Sequence, residues 1–410
     1  MNNVVLERED HVRLTNLLVT LEHWTDILDV EDGVDVAYLD FRKAFDLVSH
    51  RHLLYKMSKC GITGKVLKWV ESFLYQRKQR VVIRGTASES FEVTSGVPQG
   101  SILGRILFLI FINYLPLEVI SPVSLFADDS KIFTRIVSEK NRKLVGGTYG
   151  NDVLQRDLES IREWANKWKM EFNVSKCKIM HLGRSNPQSS YSMGGEPLTV
   201  TSEEKDLGVL IDDSLEFGKH IKEIVNKANR MLGLIKIGFD CMNREIFMNL
   251  YPALVRPLLE YCVQVWSPYK RKYINLIEGV QRRATKLVPE LRNLPYEERL
   301  RKLGLTTLED RRVRGDMIET YKLLTGKEDV NPDIFFKISV ERGDQELVRG
   351  LKIYKKRWNG NRRRYFYSQR VGDWWNKLRK VEIRADTITK FKRFYDRGGP
   401  VRLRVPIRRR

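Results

Sequence analysis

Asp128 and Asp129 stand side by side at the end of the apolar run Val123-Ser124-Leu125-Phe126-Ala127, and Ser130-Lys131-Ile132-Phe133 resumes the apolar pattern. A strand that ends in adjacent carboxylates and turns straight back puts two negative charges at a hairpin tip. Carboxylates that close repel each other, and both stay ionised cheaply only with a cation between them. The pair therefore points to a divalent metal site, and metals held this way serve phosphoryl transfer. Far upstream, Asp40 lies at the end of a second β-type run, Val34 to Phe41. Alone, an acid at a strand end is more often a cap or a turn residue. If the two strands are neighbours, three carboxylates converge, the donor set with which two magnesium ions activate a hydroxyl and steady a leaving pyrophosphate.

The intervening elements must position these groups. Residues 52–75 read as helix, broken by the Gly61 and Gly64 turns. Gly61-Ile-Thr-Gly-Lys65 imitates a phosphate loop, but the spacing is too short and Val66 stands where Ser or Thr is required. Arg80 to Arg84 and Phe91 to Val93 flank a Gly85 loop, a hairpin signature. The Gly/Pro loop Ser95-Gly-Val-Pro-Gln-Gly-Ser101 then opens an apolar stretch, Ile102 to Leu115, which contains Arg105. That stretch is too short and too charged for a membrane span and reads as a buried helix. Residues 1–30 and 151–170 each carry an apolar stripe at helical spacing, while Lys178–Leu182 and Leu207–Ile211 read as strands. From about residue 217 only helical patterns follow. A sheet-bearing half before a helical half predicts two domains, with the boundary near 215.

The chain has 410 residues, 42% hydrophobic, with a net charge of +21. Disorder is not the default for such a composition. The charge is uneven: residues 341–410 hold 23 Lys/Arg against 7 Asp/Glu. Lys355, Lys356, Arg357, Arg362, Arg363 and Arg364 are interleaved there with Tyr354, Trp358, Tyr365, Phe366 and Tyr367. Cations that neutralise phosphates beside rings that stack on bases suit nucleic acid; a solvated basic tail is the alternative. The four cysteines form no C-x-x-C pair and suggest neither a zinc site nor a disulfide framework. A reduced compartment fits better, and the N-terminus has no signal-peptide pattern.

Three segments occur in a telling order: Tyr38-Leu-Asp-Phe-Arg-Lys-Ala-Phe-Asp46, Ser95-Gly-Val-Pro-Gln-Gly-Ser-Ile-Leu-Gly104 and Leu125-Phe-Ala-Asp-Asp-Ser130. They resemble motifs A, B and C of reverse transcriptases from LINE-type, non-LTR retrotransposons of the jockey-like group. Trp168 to Met180 and Asp206 to Ile211 are similar to that family's motifs D and E. The resemblance implies an α+β fold: a reverse-transcriptase palm (an antiparallel sheet with flanking helices), then a helical thumb and a basic C-terminal region. In these terms 1–33 is a residual fingers or connecting helix, 34–215 the palm and 216–325 the thumb. Residues 326–340 are a linker, and 341–410 contact nucleic acid.

The same resemblance implies RNA-directed DNA polymerisation with two Mg2+ ions (Mn2+ as the alternative). Its partners would be an RNA template, a DNA primer and dNTP, with no membrane and protein partners left open. Asp40, Asp128, Asp129 and the Phe41 carbonyl would hold the metal. Phe45 would stack under the sugar and exclude a 2′-hydroxyl, or else be an ordinary core Phe. Gln99 would bond the incoming nucleotide, with Gly96 and Gly100 allowing close approach. Lys176, in competition with Lys178, would serve the leaving pyrophosphate. Nuclear residence follows from the family alone. Departures are also visible: few residues precede Asp40, Arg105 stands where the family usually has Pro, and Tyr114 where it usually has Asp. The expectation from these is an N-terminally truncated copy, either active or a nucleic-acid-binding remnant.

Overall fold

The structure, a computed structural model, describes residues 9–138, 141, 150–239, 241–338 and 352–398. They fall into two compact units. The first runs from Glu31 to Ser202; the second gathers the N-terminal helix α1 (Glu9–Asp29) with the chain from Glu203 onward. No described helix is long and apolar enough to cross a membrane.

The first unit is built on a five-stranded sheet. Its strands are β1 (Gly33–Leu39), β2 (Val123–Phe126), β3 (Asp129–Ile136), β4 (Lys178–Leu182) and β5 (Thr199–Val200), in the order β5-β4-β1-β3-β2. Every pairing is antiparallel except β5 with β4. β1 lies at the centre and six of its seven residues are buried, which explains its near-continuous apolar sequence. Helices α2 (His50–Lys59), α3 (Gly64–Leu74), α4 (Ile102–Ile112) and α5 (Gly150–Lys167) accompany the sheet. The α5 stripe Leu154, Leu158, Ile161, Trp164 and Ala165 joins Ala37 and Leu39 of β1 and Leu107, Phe108 and Phe111 of α4 in one apolar core. The expected hairpin near Gly85 is two nested ladders, Lys78–Gln79 with Phe91–Glu92 and Val82–Ile83 with Thr86–Ala87.

α4 is not the wholly buried helix its sequence suggested. Ile102 is 82% exposed, and Arg105 lies on the exposed side. The charge therefore avoids the desolvation cost that an interior site would impose.

In the second unit, the hairpin β6 (Glu203–Asp206) and β7 (Val209–Asp212) precedes helices that include α6 (Gly218–Gly238), α7 (Arg271–Ala284) and α8 (Leu308–Leu324). α1 belongs to this unit and not to the one built on the five-stranded sheet. The buried Glu22 pairs with Arg363 at 2.5 Å, and the Asp29 carboxylate accepts from the Asn359 and Gly360 amides. Residues 326–340, expected as a linker, hold Phe335 and Phe336, both nearly fully buried against Tyr367.

Candidate active site

The site begins where β1 ends. β1 and β3 are in antiparallel register with Leu39 opposite Ser130, so the next residue of each chain brings Asp40 to the start of the hairpin that carries Asp128 and Asp129. The β2–β3 hairpin pairs Phe126 with Asp129 and turns at Ala127 and Asp128. Ala127 sits at φ +53°, a left-handed conformation that costs a residue with a Cβ roughly 1 kcal/mol. The two aspartates are exposed.

On its other side Asp40 is held by the segment that leads into β4. Its carbonyl accepts from the Asn173 amide at 2.8 Å, and its own amide donates to Cys177 Sγ at 3.5 Å. Phe41 bridges to Phe172, the rings stacked at 4.2 Å, so its side chain is structural and only its backbone is left for a ligand role. Burial pushes the Cys177 thiol up, against the amide hydrogen bond from Asp40, and keeps it neutral. Lys176 Nζ lies 3.4 Å from Asp40 Oδ2. Lys178, the rival lysine, is the first residue of β4 and lies opposite Tyr38.

Among the described residues, no group of three or more His, Cys, Asp or Glu side chains stands close enough together to form a ready metal cage. The donors nonetheless fit magnesium in kind. This hard cation takes oxygen ligands and is usually bound through one or two carboxylates, its remaining positions filled by water and substrate phosphates.

The Gly/Pro loop is tied to the turn that follows Asp40. The Val97 amide donates to Phe45 O and the Gly96 amide to Val48 O, both at 2.8 Å. Ser95 Oγ donates to Asp46 O at 2.9 Å, and His50 Nε2 meets Gly96 O at 2.8 Å. Gly96 has φ +88°, and a Cβ there would lie 2.8 Å from Asp46 Cα and its carbonyl oxygen. Its missing side chain therefore serves the close approach of two protein segments. Gly100, at φ +84°, adopts the left-handed conformation that favours glycine and has open space around its Cβ position. Gln99 and Gly100 are exposed. The Phe45 ring is half-buried and stacks on Phe108 at 4.6 Å.

Three contributors escaped the sequence reading. His50 carried no local signal. Gly104 did, since a glycine inside an apolar helix often marks close backbone approach; a Cβ there would collide with the Pro98 carbonyl oxygen. Lys56 shares the apolar face of α2 with Leu53 and Met57 and is just as buried. Its Nζ donates to Phe111 O at 2.5 Å and lies over the rings of Trp168 (3.8 Å), Phe111 (4.4 Å) and Trp164 (4.6 Å).

The basic block of the second unit divides. Arg363 is buried against Glu22 and Thr25, so it is structural and not a surface contact for nucleic acid. Phe366 and Tyr367 are core residues and Tyr365 stacks on Tyr269 at 4.1 Å, so these rings are committed to the protein. Lys355 pairs with Asp373 at 2.6 Å. Arg357 and Arg364 are exposed, with the Arg364 guanidinium 4.6 Å from the Trp358 ring centre, and Lys356 and Arg362 are half-exposed. Residues 341–351 and 399–410 lie outside the described residues.

Comparison with known proteins agrees with this geometry. Residues 28–235 match the family model described as reverse transcriptase (RNA-dependent DNA polymerase). The chain is 30% identical over 288 residues to the RNA-directed DNA polymerase from mobile element jockey of Drosophila funebris, covering 67% of this chain and 30% of that protein. It is 30% identical over 264 residues to the jockey polymerase of Drosophila melanogaster, covering 60% and 27%. The chain thus spans about a third of the length of these relatives. Among solved structures, telomerase from Candida albicans in complex with a fragment of telomeric RNA aligns over 72% of this chain and 53% of that one. The identity is 11% and the TM-score 0.39. The family match spans motifs A to E and the sheet that brings Asp40 to the Asp128-Asp129 tip, and the chain belongs to the reverse transcriptase family of non-LTR retrotransposons.

Proposed function

We propose that this chain is an RNA-directed DNA polymerase that extends a primer 3′-hydroxyl with deoxynucleoside triphosphates. The observation that carries the reading is the register of β1 and β3, which brings Asp40 to the hairpin tip of Asp128 and Asp129 while Lys176 stands 3.4 Å from Asp40. In the reaction the 3′-oxygen forms a bond to the α-phosphorus and the bond to the bridging pyrophosphate oxygen breaks. The 3′-hydroxyl proton leaves, and pyrophosphate departs.

Asp40, Asp128, Asp129 and the Phe41 carbonyl would hold magnesium, which when bound lowers the pKa of the attacking hydroxyl and neutralises phosphate charge. The protein's own groups do the rest. Lys176 supplies a proton or a positive charge to the leaving pyrophosphate. Gln99 donates to the nucleotide from a loop fastened to the turn after Asp40. Phe45, steadied against Phe108, presents a fixed ring to the sugar. Arg357, Arg362 and Arg364 neutralise template–primer phosphates.

The test is primer extension with an RNA template, an annealed DNA primer, magnesium and deoxynucleotides. Extension is expected, and Asp128→Ala should abolish it. No extension by the wild-type chain, with salt-sensitive RNA binding retained, would leave a nucleic-acid-binding remnant as the surviving account.

A further inference from the structure

Gln99 and Gly100 form the exposed crest of a loop whose two feet are held differently. The far foot is fixed by the start of α4. Ser101 Oγ donates to Pro98 O and accepts from the Gly104 amide, each at 2.9 Å. The near foot is the Gly96 peptide. Its N–H is taken by Val48 O, a backbone partner that no side-chain substitution removes. Its carbonyl is met by the His50 side chain, through Nε2, at 2.8 Å.

Both partners are buried, and the His50 ring is seated edge-on to Tyr75 at 5.8 Å between centroids. Because the acceptor is a carbonyl, Nε2 carries the hydrogen, which holds for one neutral tautomer and for the protonated ring alike. From Gly96 the path to Gln99 is short and stiff. Val97 is 2% exposed, and Pro98 has its φ locked by its ring. A shift of the Gly96 carbonyl is therefore passed on to Gln99 with little slack.

We propose that His50 is a positioning residue: by holding the Gly96 carbonyl it sets the Gln99 loop for the incoming nucleotide. The inference rests on the polymerase reading above for its consequence, and on the geometry alone for the anchoring. Without the imidazole a buried carbonyl loses its side-chain partner, which frees the Gly96 peptide to shift toward water while the Val97 amide and Ser95 Oγ still hold their backbone acceptors. A glutamine keeps an N–H donor on a side chain of comparable reach.

The test compares wild type, His50→Ala and His50→Gln by dNTP titration in primer extension and by amide hydrogen exchange. In His50→Ala, the KM for dNTP should rise roughly three- to tenfold, the weight of one neutral hydrogen bond. The KM for template–primer should stay within about twofold. Exchange should quicken at the Gly96 and Val97 amides and not in β1. His50→Gln should recover most of both effects. An unchanged dNTP KM together with unchanged exchange would overturn the proposal. So would exchange that quickens uniformly through the first unit, which marks His50 as a general fold residue. If the wild-type chain extends no primer, the polymerase reading fails by itself. Exchange at Gly96 and Val97 then decides the anchoring alone: local quickening in His50→Ala reversed by His50→Gln sustains it, and its absence overturns it.

Discussion

Lys176 Nζ stands 3.4 Å from Asp40 Oδ2, both side chains partly in solvent, while Lys178 is the first residue of β4, in register with Tyr38 of β1. Lys176→Ala should lower the rate of single-nucleotide incorporation by about a hundredfold, a typical loss for a positioned acid. Lys178→Ala should change it by no more than a few-fold. Pre-steady-state incorporation rates separate the two, and equal losses would remove the distinction between these lysines.

Burial, opposed by Glu118 and Cys60 and aided by the nearby Lys167, brings the Lys56 pKa from 10.5 down to about 7. Below pH 7 both folded and unfolded chains carry the proton, and the fold bears the full cost of a buried ammonium. Between pH 7 and the unfolded value near 10.5, the unfolded chain binds a proton that the folded one does not, so stability rises with pH. Urea midpoints at pH 6 and pH 9 should show this rise in wild type and lose it in Lys56→Met. A rise that persists in the variant would assign it to another group.

Arg363 and its neighbours should part company. Arg363→Ala strands a buried Glu22 carboxylate, whose pKa burial already raises against the pull of Arg363. Losing one partner of such a pair costs roughly 3–5 kcal/mol. Replacing Arg357, Arg362 and Arg364 together should leave the melting temperature nearly unchanged while weakening RNA binding. On a single strand, the slope of log affinity on log salt should then fall by about 0.7 for each phosphate no longer neutralised. An unchanged salt slope would remove these arginines from the interface.

Gly96→Ala and Gly100→Ala differ in kind although both residues have positive φ. At Gly100 the penalty is conformational alone, about 1 kcal/mol. At Gly96 a Cβ also meets Asp46 backbone at 2.8 Å, and a clash of that type costs several kcal/mol or displaces the loop. Denaturant midpoints should rank the two accordingly, and equal losses would refute the close approach.

Much of the fold could be read from local pattern. β1 shows itself as an apolar run, α5 as a stripe ending in Trp164 and Ala165, and the tip as two acids after Phe126-Ala127, because burial on one face leaves a period in the sequence. The candidate site was legible from order as much as from residue type: one acid at a strand end is an ordinary cap, but Asp40 followed by the adjacent Asp128 and Asp129 sets three carboxylates at the ends of strands that turn out to be neighbours. The amphipathic pattern of residues 1–30 announced a helix but could not say which unit it joins, since an apolar stripe does not name its partner. The Glu22–Arg363 pair, which takes one arginine out of the basic block, joins residues from opposite ends of the chain.

Residue identity and order thus determined that Asp40, Asp128 and Asp129 could share a task, that Gln99 lies on a Gly/Pro loop, and that positive charge gathers toward the C-terminus. Tertiary structure alone decided which lysine stands beside Asp40, why Gly96 has no side chain, that His50 grips the loop, and which cations remain at the surface. Those outcomes depend on contacts between segments distant in sequence, where a difference of an ångström separates a hydrogen bond from none. No local period in the sequence records such distances.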